Sequence, residues 1–272
     1  MSYRELLPHP ALRPHVDRLW QRTPEGESPG AASRILPDGC IDILVDVASG
    51  EARVVGTMTR AVTYAPSSQS LVAVRFKPGC AAGFLRVPAE ELTDRAVSAR
   101  ELGLRWLEPL PASPRGHLVS VKAGASSQPG GREWRSDAAL AALEWQLLTR
   151  LDSLCARQEV RYGARRLFAA QPPSVQELAR ELGQSRQQLA RTFRRELGIS
   201  PKQLGRVARL QRAIDHLQRG PSGSLAQQAL ELGYYDQAHM ARDFRALAGI
   251  TPAEAQRSAG SIFPIPSLWL EP

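Results

Sequence analysis

The sequence predicts an α+β N-terminal sensing domain followed by an all-α C-terminal domain with two helix-turn-helix units joined by a long helix. Three observations support this fold class: strand-like runs in the first third, regularly capped helices in the last third, and an internal duplication. The first copy spans Ala179–Pro201 and the second spans Ala229–Pro252, with an offset of 50 residues up to a shared glycine and 51 after it. Self-similarity of this kind indicates one structural unit that occurs twice.

The first 107 residues combine strand and helix signals. Apolar runs rich in β-branched residues predict strands at Cys40–Val47, Arg53–Met58 and Leu71–Phe76. A short helical turn is expected at Ala81–Leu85, and Pro88 followed by two glutamates resembles a helix start. We therefore assign residues 1–107 to the α+β domain.

Residues 108–136 are interrupted by proline and glycine and are rich in serine, which predicts a flexible insertion. Asp137 is then expected to cap an amphipathic linker helix within residues 137–159, running from Ala138 to about Arg157. Its apolar stripe has two candidate partners, the N-terminal domain or the same helix of a second subunit. The stripe consists of Leu140, Leu143, Leu147, Leu151 and Leu154.

Residues 160–260 are predicted to form the helical domain, and residues 261–272 are left as a tail. Ser174 and Glu177 form a capping box, and Ser200 followed by Pro201 opens a long helix that runs to about Arg219. The other expected caps are Ser185, Ser224 and Asp236, the last of which opens a helix to Leu247. Glycines that end helices are expected at Gly183, Gly198 and Gly233.

Each repeat has the residues that a helix-turn-helix unit requires, with a small residue where the helices touch and a glycine at the turn. Leu189 with Phe193, and Met240 with Phe244, lie four residues apart, so each pair faces the core together. The opposite face of each second helix is then available to DNA. That face carries Arg186, Gln187, Arg191 and Arg194 in the first copy and Gln237, His239, Arg242 and Arg245 in the second.

These side chains suit contact with nucleic acid, because arginine is bidentate to guanine and glutamine to adenine. Residues early in a recognition helix usually touch base edges, and later basic ones hold phosphate. Arg194 and Arg245 have two open interpretations, a contact with phosphate or one with a neighbouring carboxylate. His239 either reads a base or is a polar surface residue.

The long helix from Pro201 to Arg219 has a predicted length of roughly 28 Å. Successive major-groove faces on one side of a duplex recur about every 34 Å. A stiff spacer of this length is expected to place the two recognition helices in adjacent major grooves.

Charge is unevenly distributed along the chain, which has a net charge of +8. Residues 160–258 contain 16 basic and 8 acidic residues, whereas residues 1–159 contain 19 basic and 18 acidic ones. A basic region beside a nearly neutral one is typical of a nucleic-acid-binding domain with a separate second module.

Composition argues against several other classes of protein. We find no long apolar run and no signal-peptide pattern, so we expect no membrane contact and a cytoplasmic, nucleoid-associated location. Three widely spaced cysteines predict neither a disulfide framework nor a zinc finger.

We expect no enzyme activity, cofactor or metal, since no catalytic triad or phosphate loop stands out. Asp38, Cys40 and Asp42 allow a metal-ligand interpretation, but a turn before a buried strand is favoured.

The C-terminal motifs resemble those of the AraC/XylS family of bacterial transcription regulators over about Ser174–Arg257. The matching segments are Leu182-Gly183-x-Ser185, Phe193-Arg194, Gly198-Ile199-Ser200-Pro201, Arg209–Ala213, Gly233–Arg245 and Gly249-Ile250-Thr251-Pro252. The N-terminal part resembles the companion domain of one subgroup, through Leu36–Ile43 with its Pro-Asp-Gly-Cys motif and through Val74–Gly79. Residues 108–136 depart from that subgroup, which has a shorter and more helical passage there.

The resemblance implies binding to double-stranded DNA at promoters, commonly with contact to RNA polymerase. By motif position, Gln187 and Arg191 would read bases from the first helix, and Gln237, His239 and Arg242 from the second. We therefore expect a sequence-specific regulator that responds to an unknown small-molecule effector at its N-terminal domain, with a homodimer as one possible assembly. Two alternatives stay open: a DNA-tethered enzyme or small-molecule-binding protein, and a constitutive DNA-binding protein whose N-terminal half only dimerises.

Overall fold

The computed structural model describes residues 2–24, 33–64, 69–107, 131–151, 158–220 and 223–257. The described residues up to 151 form a sheet with helices, and those from 158 onward form helices only. This order agrees with the predicted fold class. Residues 108–130 of the predicted insertion, and the predicted tail at 261–272, lie outside the described residues.

Six strands form one antiparallel sheet in the spatial order β1-β2-β7-β4-β5-β8. They are β1 (Ser2–Leu6), β2 (Val16–Thr23), β4 (Ile41–Asp46), β5 (Ala52–Val55), β7 (Leu71–Phe76) and β8 (Ala96–Ser98). A separate two-stranded ribbon pairs β3 (Ser33–Ile35) with β6 (Val62–Tyr64). The ribbon is thus an element of its own beside the sheet.

One face of the six-stranded sheet forms the core of the N-terminal domain. Leu19, Val74, Ile43 and Val54 lie side by side across four strands and are all buried. Side chains alternate between the two faces of a strand, so apolar residues at every second position cover one face. Helix α1 (Ala81–Leu85) adds to the same core.

Helix α2 (Gly131–Leu148) differs from the predicted linker helix at both ends. It begins before Asp137, and it ends well before Arg157. Asp137 therefore lies inside the helix and is not its cap, and its carboxylate forms an ion pair with Arg4 of β1.

The apolar stripe of α2 packs on the N-terminal domain, which is one of its two predicted partners. Leu140, Leu143 and Leu147 are buried in the core of the sheet, and Leu151 packs partly against it. Leu154 lies outside the described residues. Burial of this stripe joins α2 to the sheet as a second layer.

The strand predictions were right for the centre of the sheet and incomplete at its edges. The observed strands β4 and β7 match the predicted runs, whereas β5 ends at Val55, before the predicted Met58. Strands β1, β2, β3, β6 and β8 were not predicted. The predicted helix start at Pro88 gives only a single 3₁₀ turn, Ala89–Glu91.

The C-terminal domain consists of seven described α-helices. They are α3 (Gln158–Phe168), α4 (Val175–Glu181), α5 (Arg186–Leu197), α6 (Pro201–Gln218), α7 (Leu225–Glu231), α8 (Gln237–Asp243) and α9 (Pro252–Arg257). The capping box of Ser174 with Glu177 is confirmed, and Ser185 forms a second one with Gln188. These reciprocal bonds satisfy backbone amides that a helix start leaves without partners.

Helix α8 is shorter than predicted. Its α-helical part ends at Asp243, and the chain continues as a π-helix over Phe244–Ala248. Gly249, with a φ of +66°, then ends the segment. A π-helical turn at such a place is uncommon and is frequently associated with function.

Helix α6 belongs to two hydrophobic cores at once. Its first half contributes Leu204 and Val207 to the core around α3, α4 and α5. Its second half contributes Leu210 and Ile214 to the core around α7, α8 and the π-helix. Because one continuous helix is anchored in both cores, α6 joins the two helix-turn-helix units directly. We call α6 the linker helix; it is distinct from the helix that was predicted at residues 137–159.

Candidate nucleic-acid interface

The first recognition helix is α5, and its position is determined by buried residues on one face. Leu189, Phe193 and Leu197 recur at four-residue steps and are almost completely inaccessible to solvent. They pack with residues of α3, α4 and α6 in a single core. The predicted pair Leu189 and Phe193 therefore faces inward as the sequence pattern indicated.

The opposite face of α5 is exposed. Arg186, Gln187, Arg191 and Arg194 are all exposed, the first of them at the start of the helix. Within the described part of the chain, none of these four side chains forms an ion pair or a hydrogen bond to another residue. Three arginines and one glutamine are thus available to an external partner.

The second recognition helix is α8 with its π-helical continuation. Met240 and Phe244 are buried in the core of the second unit. Gln237, Arg242 and Arg245 are exposed, and among the described residues their side chains have no ion-pair or hydrogen-bond partner. We call these three, together with the four exposed residues of α5, the DNA-facing residues, after the contact with DNA that the sequence predicts for them.

His239 differs from the other predicted site residues, because its ring is engaged within the domain. Its Nδ1 accepts a 3.3 Å hydrogen bond from the backbone amide of Tyr235, and its ring makes an edge contact with Tyr234 at a centroid distance of 5.4 Å. Its own amide donates to the carboxylate of Asp236, the helix cap. These contacts hold the His239 ring against the turn, and its role as a base reader stays a prediction.

Three residues that were not predicted as site residues form an ion-pair network between α6 and α8. They are Arg206 and Arg209 of the linker helix and Asp243 of the recognition helix. The duplication gives no signal for this network, because the position of Asp243 is occupied by Thr192 in the first copy.

The N-terminal domain contacts the end of the first recognition helix. The hydroxyl of Thr57 donates to the carbonyl of Leu197 at 2.6 Å, and the hydroxyl of Thr93 donates to the carbonyl of Gly198 at 2.8 Å. Carbonyls in the last turn of a helix lack partners within the helix. Two residues of the N-terminal domain therefore complete the hydrogen bonding of α5.

The N-terminal domain also contacts the end of the second recognition helix. The amide of Ala61 donates to the carbonyl of Leu247 at 2.7 Å, and Nη1 of Arg34 donates to the carbonyl of Ala248 at 2.9 Å. Leu36, which follows the ribbon strand β3, is buried in the core of the second unit. The ribbon thus joins the N-terminal domain to the π-helical end of α8.

The Pro37-Asp38-Gly39 turn docks on the linker helix. Nε2 of Gln211 donates a 2.6 Å hydrogen bond to the carbonyl of Pro37. Gly39 has a φ of +80°, and a Cβ at this position would lie 2.7 Å from Cδ1 of Leu204. Only glycine combines this backbone conformation with so close an approach.

The neighbouring residues of the same motif form a buried ion-pair cluster. Arg75 pairs with Asp42 at 3.1 Å and lies 3.7 Å from Asp38, whose other oxygen accepts from the amide of Cys40. Burial raises the pKa of the Cys40 thiol well above its usual range. These contacts match the preferred interpretation of a turn before a buried strand.

Within the described residues, no group of three or more histidine, cysteine or acidic side chains is placed to hold a metal ion. No described helix combines the length and the apolar character needed to cross a membrane.

Small-ligand sites are commonly clefts of roughly 300–1,000 Å³, and the N-terminal domain has a cavity of about 560 Å³ beside α1 and the end of α2. Phe84, Leu85 and Trp106 supply apolar lining, and Arg86 and Arg150 supply positive charge. The guanidinium of Arg150 lies 4.4 Å from the centre of the Trp106 ring. This cavity combines apolar walls with polar groups, as small-molecule sites commonly do.

The fold and the exposed helix faces define a class of protein, a DNA-binding protein with two helix-turn-helix units. Two family models match the chain. Residues 178–258 match a family described as a helix-turn-helix domain, and residues 4–98 match a domain of unknown function (DUF6597). A search among curated proteins finds no match.

Several solved structures are similar to this chain. A probable AraC family transcriptional regulator from Rhodopseudomonas palustris is 27% identical, covering 38% of this chain and 98% of that one, with a TM-score of 0.35. The C-terminal domain of AraT, a response regulator from Geobacillus stearothermophilus, is 24% identical over 38% of this chain and 83% of that one, with a TM-score of 0.32. ToxT from Vibrio cholerae is 9% identical over 85% of this chain and 97% of that one, with a TM-score of 0.38.

Residues 178–258 are an AraC-type helix-turn-helix domain, which supports a role of the chain in DNA-binding transcription regulation. The resemblance that the C-terminal motifs indicated is confirmed. The Pro-Asp-Gly-Cys motif as the mark of one subgroup stays a prediction.

Proposed function

We propose that this protein regulates transcription by binding promoter DNA in a sequence-specific manner, with α5 and α8 in adjacent major grooves. The observation that carries the proposal is the pair of exposed helix faces with seven DNA-facing residues, five of them arginines without an ion-pair partner among the described residues. Arginine side chains bind phosphate groups and the major-groove edge of guanine.

The length of the linker helix supports the placement in adjacent grooves. Helix α6 has 18 residues, which gives a length of about 27 Å. Successive major-groove faces lie about 34 Å apart, and the recognition helices extend beyond the ends of α6. A monomer is then able to contact two half-elements on one side of the duplex.

The two half-elements should have different sequences, because the two recognition helices present different side chains. Helix α5 offers Arg186, Gln187 and Arg191 near its start, where contacts to base edges are most common. Helix α8 offers Gln237 at its first position and Arg242 about 1.4 turns later. We therefore expect the bound DNA to contain two half-elements of different sequence, one after the other along the duplex.

We further propose that the N-terminal domain controls DNA binding in response to a small-molecule effector. Its hydrogen bonds reach the ends of both recognition helices, so a shift of this domain would act on both. A ligand that binds one arrangement of the domains more tightly than another would change their populations. The cavity at Trp106 and Arg150 is the candidate effector site.

RNA polymerase is the proposed partner at the promoter, and a homodimer is one possible assembly. The second candidate function, a DNA-tethered small-molecule-binding protein, is favoured by the same cavity. DNA binding that stays constant while a small molecule occupies the N-terminal domain would support that alternative.

Selection from random duplexes tests the proposed function. The full-length protein would be incubated with duplexes that carry about 30 random base pairs. The bound duplexes would then be amplified and sequenced. We expect a consensus of two unlike half-elements with centres about 10–10.5 base pairs apart. Recovery of one element, or of no sequence preference, would contradict binding by both helices.

A further inference from the structure

Asp243 is a buried acid at the end of the second recognition helix. Its side chain is 6% exposed, whereas the adjacent Arg242 and the nearby Arg245 are exposed and DNA-facing. The helix changes from α to π directly after Asp243. Asp243 therefore occupies a junction between the DNA-facing turn of α8 and the segment that contacts the N-terminal domain.

Both carboxylate oxygens of Asp243 bind arginines of the linker helix. Oδ1 accepts from Nε and Nη2 of Arg206 at 3.1 and 2.8 Å, and Oδ2 accepts from Nη2 of Arg209 at 3.0 Å. Hydrogen bonds between ionised groups are stronger and more directional than neutral ones, and two donors from one guanidinium fix its orientation. Asp243 thus joins α8 to two successive turns of α6.

Arg209 extends this network to the turn of the second unit. Its guanidinium lies 4.6 Å from the centre of the Tyr234 ring, and its Nη1 donates to the carbonyl of Gly233 at 3.2 Å. Nε2 of His239 lies 4.0 Å from Oδ2 of Asp243. Arg209 of α6 therefore contacts both the turn and Asp243, and His239 near the start of α8 lies close to the same carboxylate.

The first unit is held in a different way. Thr192 replaces Asp243 at the equivalent position, and Arg212 of the linker helix instead donates to the carbonyls of Leu167, Phe168 and Ala169 at the end of α3. Arg212 thus holds the helix that precedes the first unit and not its recognition helix. In the second unit, an ion-pair network joins the recognition helix itself to α6.

Removal of the Asp243 charge would leave two neighbouring guanidiniums without their shared anion. Breaking a buried pair in this way is unfavourable because the remaining charge has lost its partner while still partly desolvated. The side chain of Arg209 is 23% exposed, so it would have to move toward solvent to regain hydration. Such a movement would release the turn at Gly233 and change the orientation of α8 on α6.

We propose that Asp243 is a positioning residue that fixes the orientation of the second recognition helix on the linker helix, and so determines how Gln237 and Arg242 meet their half-element. Asp243 itself does not contact DNA. This inference rests on the proposed function, because it assigns a cause to the reading of one of the two half-elements.

The test uses the full-length protein and the duplex recovered by selection, together with two altered duplexes in which one half-element or the other is replaced. Wild-type protein should bind each altered duplex roughly 100-fold more weakly, since each mismatched base pair is costly. For the Asp243→Asn variant, replacing the half-element of α5 should still weaken binding roughly 100-fold. Replacing the half-element of α8 should weaken its binding less than about fivefold, because a misoriented helix gains little from the correct bases.

Asp215→Asn is the matched control. Asp215 lies on α6 and likewise pairs with an arginine, Arg219 at 2.8 Å, but this pair touches neither recognition helix. The Asp215→Asn variant should discriminate both half-elements as the wild type does. If Asp243→Asn fails to fold, Arg206→Gln provides a second test, since it leaves Asp243 paired with Arg209 and should reduce discrimination only at the half-element of α8.

The outcomes separate this inference from the proposed function. Equal weakening on all three duplexes, or wild-type discrimination by both Asp243→Asn and Arg206→Gln, would overturn the positioning role. Absence of any discrimination by the wild-type protein would instead overturn the proposed function.

Discussion

The hydroxyl of Thr57 donates a 2.6 Å hydrogen bond to the backbone carbonyl of Leu197, so the N-terminal domain completes the last turn of the first recognition helix. Thr57 is fully buried. Thr57→Val keeps the shape of the side chain and removes the donor, which leaves a buried carbonyl without this partner. We expect the free energy of unfolding of the full-length protein to fall by about 1–3 kcal/mol, measured by urea denaturation.

Thr59→Val is the control for this substitution. Thr59 donates to the exposed carboxylate of Asp94 at 2.5 Å, so water can replace the lost bond. We expect a change within about 0.5 kcal/mol. An equal loss of stability in both variants would mean that burial of the bond to Leu197 has no special effect.

The C-terminal fold could be predicted because its signals are local. Ser174 and Ser185 cap helices through residues three positions away, and the buried pairs recur at helical spacing. The outer strands of the sheet lack such signals. In β2, the bulge at Asp17 and the charged Arg18 interrupt the alternation that would reveal a strand, so its partners determine its structure.

The same difference between local signals and tertiary packing applies to the candidate site. Exposure of Arg191 and Gln237 follows from helical periodicity, which a single sequence displays. The bonds from Thr57 to Leu197 and from Arg34 to Ala248 join residues that are 140 and 214 positions apart. Contacts of this separation depend on tertiary packing, which local patterns do not specify.

Leu36 should contribute to the stability of the second unit although it belongs to the N-terminal domain. It is 4% exposed and lies in the core that contains Met240 and Phe244. Leu36→Ala should reduce the free energy of unfolding by about 2–5 kcal/mol, as for other buried leucines. Hydrogen exchange should become faster in α7 and α8 and stay unchanged in α4 and α5.

The exposed Leu7 offers a comparison of the same chemical change. Its side chain is 63% exposed, so Leu7→Ala should alter stability by no more than about 0.5 kcal/mol. Faster exchange throughout the protein in Leu36→Ala would contradict a local role in the second unit.

Arg191 and Arg194 should make different contributions to DNA binding. Arg191→Ala should cost about 1–3 kcal/mol of binding free energy and relax the preference at one base position. Arg194→Ala should weaken binding to every sequence and lower the slope of log affinity against log salt by about 1. Fluorescence anisotropy with the selected duplex and its single-base variants measures both effects.

Arg165 provides the matched control for these two substitutions. It is an exposed arginine on α3, outside both repeats. Arg165→Ala removes the same charge and should leave base preference unchanged. Uniform weakening by Arg191→Ala across all base variants would show that Arg191 contacts phosphate.

Asp17 should make stability depend on pH. Its buried carboxylate lies 3.6 Å from Nη1 of Arg18, and both its oxygens are without a hydrogen-bond partner among the described residues. Desolvation raises the pKa of Asp17 from its ordinary value of 3.8 to about 6, and the nearby Arg18, Arg75 and Lys77 oppose the rise. Between about pH 4 and 6, the folded protein holds a proton that the unfolded chain has released, so stability falls as pH rises.

Asp17→Asn removes this titration, so its stabilising effect should grow as pH rises from about 4 and be largest above about pH 6. The difference between a pKa of 3.8 and one of about 6 corresponds to roughly 3 kcal/mol. We expect the variant to exceed the wild type in stability by up to that amount near pH 8, and the two to agree near pH 4. Urea denaturation at about pH 4, 6 and 8 measures the difference.

The exposed Glu51 serves as the control, since Glu51→Gln should show no such dependence. A stability difference between Asp17→Asn and wild type that stays constant with pH would mean that the charge of Asp17 is not its cause.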